Sequence, residues 1–169
     1  MRIVNVGLLL IFTTSACSVM FPDRTAPKSA NYKITPPTPP WHRYSTEEEN
    51  QEPLRADVAF ENSKTGANFS LNSLCRKYHE TSLDVLTESL VRGIEDRVAI
   101  SSKSIVVNDV DALDSTFEGK VDKVLVRIRT IVLVKDSCTF DFIYVAIPSR
   151  EENSHDDFEK FVRSFRVES

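Results

Sequence analysis

Glycine is almost missing from this chain. Four occur in 169 residues, and one of them, Gly7, lies in the opening apolar run. Gly66, Gly93 and Gly119 stand far apart, so no loop can cradle a phosphate through clustered glycine amides. No serine sits in a Gly-x-Ser-x-Gly elbow, which removes that route to a nucleophile. Histidine is nearly as scarce. None of His42, His79 and His155 has metal-ligand spacing to another histidine or a cysteine, and each reads as exposed surface in a polar setting. Excess positive charge is also lacking: 21 Lys and Arg face 25 Asp and Glu, a formal charge of -4. That leaves no basic footprint for nucleic acid and no electrostatic hold on anionic headgroups. Nor is there an apolar run of the ~20 residues that cross a bilayer as a helix. No catalytic residue, metal site or cofactor is therefore expected.

The N-terminus holds the first positive signal. Met1-Arg2 is a short basic start, Ile3–Phe12 is mostly apolar, and Thr13 to Ala16 are small residues leading to Cys17. Charge, then an apolar stretch, then small residues is the layout of a secretory signal. Thr14-Ser15-Ala16-Cys17 resembles a lipobox, with Thr14 where leucine is usual. The resemblance implies a signal peptide over residues 1–16, cleavage before Cys17 and lipidation of its thiol; conventional cleavage nearby is the alternative. Two or three acyl chains, at ~0.8 kcal/mol per buried CH₂, give stable membrane attachment where one holds only reversibly. In enteric bacteria an aspartate after the cysteine retains lipoproteins in the inner membrane. Ser18 here points to the outer membrane, facing the periplasm.

With Cys17 assigned to the anchor, Cys75 and Cys138 remain as an even pair in an exported chain, where disulfides persist. A bridge is the preferred reading. Two buried thiols packing as small hydrophobes are the alternative.

Residues 17–40 carry Pro22, Pro27, Pro36, Pro37, Pro39 and Pro40 and read as a tether that stiffens towards polyproline II. Tyr32-Lys33-Ile34 is an alternative edge strand within it. A folded domain is expected over 41–169, interrupted by a polar loop at Ser45–Glu52. Asp57–Asn62, a turn through Gly66, and Ala67–Cys75 predict a hairpin. Thr81 with Asp84 approximates a capping box for a helix with Leu83, Leu86, Leu90 and Ile94 on one stripe. Strands follow at Arg97–Asn108, Ser115–Gly119, Lys123–Val134 and Cys138–Ile147. Ser154 with Asp157 opens a last helix whose Phe158, Phe161, Val162 and Phe165 share one face. The order predicts an α+β sandwich.

Trp41, Ala56–Phe60, Thr65-Gly66-Ala67 and the strand ending at Cys75 resemble a group of bacterial lipoproteins. Phe158–Phe165, closing in Arg163-Ser164-Phe165-Arg166, is similar to the end of PsbP-like domains. The resemblance implies an antiparallel β-sheet flanked by helices, a PsbP-like α/β/α sandwich. Such domains serve as extrinsic photosystem subunits in plants and as protein-binding modules elsewhere. No residue through which those relatives act is matched, so the resemblance carries the fold and no site.

Arg127 and Arg129, set inside an apolar strand, are the unusual polar feature. They read either as contacts to an anionic ligand or partner, or as a sheet face reaching solvent. Cys75 has Arg76, Lys77 and His79 close behind, the surroundings of an activated thiol, but a bridged Cys75 is preferred. The expected function is a non-enzymatic cell-envelope lipoprotein, an accessory or assembly factor presenting its domain to a protein partner. A small-molecule or lipid-binding module serving envelope transport is the alternative.

Overall fold

The computed structural model describes residues 30–44, 56–75, 81–151 and 154–168. The expected signal segment, Cys17, the loop at 45–52 and His79 lie outside them. The first elements are β1 (Tyr32–Lys33), β2 (Trp41–Arg43), β3 (Val58–Asn62), β4 (Asn68–Cys75) and helix α1 (Leu83–Leu90). Four long strands follow: β5 (Glu95–Val107), β6 (Val110–Val121), β7 (Val124–Lys135) and β8 (Cys138–Ala146). A 3₁₀ turn at Pro148–Arg150, helix α2 (Ser154–Ser164) and β9 (Arg166–Val167) close the chain. Seven strands form one antiparallel sheet in the order β2-β3-β4-β8-β7-β6-β5, and β1 pairs separately with β9.

The long strands form a meander because their connections are tight. Asn108-Asp109, Asp122-Lys123 and Asp136-Ser137 each place two successive residues at positive φ, between 49° and 68°. Two-residue turns of that kind match the right-handed twist of the flanking strands, and Asn and Asp tolerate the left-handed region. Polar residues thus do here what glycine commonly does elsewhere. At Gly119 the glycine is required for space: an added Cβ would lie 2.4 Å from Ile94 Cγ2 and 2.9 Å from the Glu95 carbonyl oxygen.

β7 lies inside the sheet and is covered on both faces over most of its length, which explains its near-continuous apolar run. On one face Ile131 and Leu133 join Phe69, Leu71, Phe140, Phe142 and Tyr144, and α2 lays Phe158, Phe161 and Val162 over them. The rings interlock, with Trp41 4.3 Å from Phe69 and Phe165 4.8 Å from Phe140 between centroids. Burying each such ring contributes roughly 1.5–3 kcal/mol. On the other face Val126 and Ile128 pack with Phe117 and Val91, joined by Leu90 and Ile94 at the end of α1. The fold is α+β, an antiparallel sheet between helices, as the sequence predicts.

Four sequence expectations change. First, residues 30–40 belong to the packed body. The Ala30 amide donates to Ser73 Oγ (3.1 Å), the Thr35 amide to Ser164 Oγ (3.0 Å), and Tyr32 stacks near Phe165. The described part of the expected 17–40 tether, residues 30–40, is therefore packed on the domain, and Tyr32-Lys33 is a strand, though not on the main sheet. Second, β6 spans 12 residues where a short strand at 115–119 was expected. Third, Ser82, not Thr81, caps α1 by accepting from the Val85 amide. Fourth, Ser154 is the first residue of α2, and its hydroxyl bonds the Glu151 carbonyl and the Tyr144 hydroxyl. Asp157 instead accepts from the Trp41 indole N–H at 3.0 Å.

Candidate functional site

Residues of β4 and β8 alternate, and their register puts Phe69 opposite Tyr144, Leu71 opposite Phe142 and Cys75 opposite Cys138. Cys75 and Cys138 form a disulfide across the end of this strand pair. Cys75 is thus a structural crosslink and offers no thiol to a nucleophilic mechanism.

Arg127 and Arg129 project from one face of β7 towards the start of α2, and carboxylates meet both. Glu118, directly opposite Arg127 on β6, accepts from its Nε (3.0 Å) and Nη2 (2.6 Å), and Glu151 accepts from Nη1 (2.5 Å). Arg129 is more enclosed, at 8% exposure. Its Nε and Nη2 donate to the two oxygens of Asp114 at 2.9 and 2.8 Å, and its Nη1 reaches Glu159 at 3.2 Å. Nη1 also lies 2.6 Å from His155 Nε2. A guanidinium only donates, so Nε2 is the acceptor of this contact. Burial works against the charge of Arg129, but the hydrogen bonds and attraction of Asp114 and Glu159 outweigh it and raise its pKa. Four of its five N–H groups are engaged within the protein. Arg129 thus has little left to offer an anion, while the Arg127 side chain stays 37% open to solvent. Arg129 joins sheet to helix.

Two hollows meet at Arg129. One of about 430 Å³ runs between α2 and strands β5–β7, past Lys103, Ile105, Ile131, Val162 and Arg163. The other, about 340 Å³, lies at the N-terminus of α2 beside Ile100, Arg127, Tyr144 and His155. Burial pushes the Tyr144 hydroxyl up to about 12, so it stays protonated and bonded to Ser154 at 2.7 Å.

The outer wall of this region is β5, the last strand of the sheet. It exposes Val98 (58%), Ile100 (55%) and Val106 (66%), and among the described residues no strand pairs with its outer edge. The sequence reading placed this strand but not its edge position, because strand order is invisible in periodicity.

On the opposite face of the sheet, Asp141 of β8 is 8% exposed. Burial drives its carboxyl up to about 6, only partly offset by a hydrogen bond from Asn72. Its Oδ1, like the hydroxyls of Thr130 and Thr87, is buried without a hydrogen-bond partner. His42 is exposed and 3.7 Å from Glu61.

No family model matches this chain, and no curated protein matches it in sequence. Solved structures do match in shape. Cyanobacterial PsbP (CyanoP) from Synechocystis sp. PCC 6803 shares 12% identity, over 82% of this chain and 94% of its own, with a TM-score of 0.55. LpqN of Mycobacterium tuberculosis, described as involved in cell envelope biogenesis, shares 9% identity over 83% and 86%, with a TM-score of 0.59. PA94 of Pseudomonas aeruginosa, a protein of unknown function, shares 10% identity over 88% and 90%, with a TM-score of 0.52. The domain therefore has a PsbP-like fold, as the closing segment Phe158–Phe165 suggested. At these identities the likeness defines the fold and assigns no function.

Proposed function

We propose that this chain is a lipid-anchored accessory protein of the bacterial cell envelope, and that its PsbP-like domain binds a protein partner without performing chemistry. Residues 1–16 are its signal peptide, Cys17 carries the lipid, and a short tether leads to the domain, which faces the periplasm from the outer membrane. The observation that carries the binding role is β5, whose Val98, Ile100 and Val106 stand in solvent along an edge that no strand among the described residues pairs with. Exposed apolar side chains grouped on one element mark interaction surfaces. The description of LpqN as an envelope-biogenesis protein fits this setting. The hollow of about 430 Å³ has the volume of a small-molecule site and favours the second reading, a ligand or lipid carrier. Arg129 would have to give up partners within the protein to serve such a ligand, so the protein-binding reading stands first.

Metabolic labelling with a fatty acid tests the anchor. Label is expected in the wild type and absent from Cys17→Ser, with the variant released from the membrane fraction; label persisting in Cys17→Ser refutes the anchor. Crosslinking in intact cells followed by affinity capture tests the binding role. One recurrent envelope protein is expected, and capture of none contradicts it.

A further inference from the structure

β5 combines a charged, irregular start with a long regular run. It is 13 residues long, which at ~3.3 Å per residue is an edge of about 43 Å. Protected edges are short, bulged, or interrupted by proline and charge. Here the irregularities fall between Glu95 and Val98 and between Ala99 and Ser101, and from Ser101 to Val107 the register with β6 is unbroken. That regular run has no proline or glycine and one charge, Lys103.

Lys103 pairs with Asp114 but shares that carboxylate with Arg129. The cluster beside it holds three cations, Lys103, Arg129 and Arg163, against two carboxylates, Asp114 and Glu159. Arg129 takes both oxygens of Asp114 and shares Glu159 with Arg163, leaving Lys103 Nζ at 3.6 Å from Asp114. The surplus positive charge rests on the two exposed members, with side chains 64% (Lys103) and 80% (Arg163) open to solvent. Both line the hollow between β5 and α2, where Ile105 and Val162 supply an apolar floor.

We propose that β5 is a docking edge that takes an extended segment of the partner protein as an eighth strand, and that this segment carries an acidic and an apolar residue two positions apart, on the strand face that meets Lys103 and Ile105. The inference rests on the protein-binding reading above and names its mode. Main-chain hydrogen bonds to the free edge of Ser101–Val107 supply binding, and the side chains at every second position supply selectivity. On the groove face the guest's side chains meet Lys103 and Ile105, which select an acid beside an apolar residue. On the other face they lie along Ser102, Ser104 and Val106.

The test uses the full mature protein in mild detergent and an end-blocked, fluorescein-labelled peptide in which glutamate and valine take turns at every second position, with serine and threonine between them. Its counterpart carries lysine at each glutamate. The acidic peptide is expected to bind about tenfold more tightly, with the order reversed in Lys103→Glu/Arg163→Glu. Hydrogen exchange is expected to show every second amide of residues 101–107 gaining protection when the acidic peptide is bound. Equal affinities, or binding without that protection, overturn the proposal. Protection gained on concentrating the protein alone also overturns it, by assigning the edge to a second copy. If the peptides fail while a partner still crosslinks in cells, the strand-addition mode falls and the protein-binding reading stands. If both fail, both fall.

Discussion

Asp141 and Arg129 are ionisable groups set into the same sheet, on opposite faces, and their surroundings treat them in opposite ways. Arg129 keeps its charge because Asp114 and Glu159 return more than burial removes. Asp141 has no such cation beside it, so burial raises its carboxyl from 3.8 to about 6. The native protein then holds that proton more tightly than the unfolded chain does. The contribution of Asp141 to stability is greatest below the ordinary carboxylate value, falls as pH rises to about 6, and is level beyond that. The shift corresponds to about 3 kcal/mol between the two ends of that window. Asp141→Asn keeps the shape and removes the titration. Urea melts from pH 4 to 8 should find the variant more stable than wild type at pH 8, with the advantage vanishing near pH 4. Parallel curves for the two proteins would refute this account of Asp141.

At the scale of elements, legibility followed how locally each signal was written. β7, β8 and α2 could be read because their apolar residues repeat within a few positions and a turn or cap brackets them. The expected strand begins only at Ser115 because Asp109, Asp111 and Asp114 interrupt the apolar pattern before it. Asp114 becomes a strand residue through a partner on β7, Arg129, fifteen positions away. The same distance hid the site: two arginines in a strand are visible in sequence, but the carboxylates that engage them come from β6, α2 and the turn before it. β1 and β9 are two residues each and find one another only after the whole domain has closed. The disulfide is the element-scale feature read from composition alone. It joins strands adjacent in the sheet but 63 residues apart in sequence, a loop for which chain entropy gives about 4 kcal/mol. Cys75→Ser/Cys138→Ser should lower the unfolding free energy by that order while leaving the far-ultraviolet circular dichroism unchanged. A loss under about 1 kcal/mol would show that the β4–β8 pairing already supplies the constraint.

At the scale of the whole molecule, the sheet is unequal at its two ends. β2 ends one side after 3 residues, whereas β5 leaves 13 along the other, with exposed valine and isoleucine and a cationic groove behind it. A lipid at Cys17 would hold this domain near the membrane and raise the effective concentration of any envelope partner, so that a modest edge contact suffices. The central claim is that the anchored domain works by presenting β5. Site-specific photocrosslinking in living cells tests it most directly, with the photoreactive side chain placed at Ile100 or Val106 and, as control, at His42 on the opposite edge. The account predicts one discrete envelope-protein adduct from both β5 positions, none from His42, and loss of the adduct in Cys17→Ser. Adducts equal at all three positions, or none from β5, would contradict it.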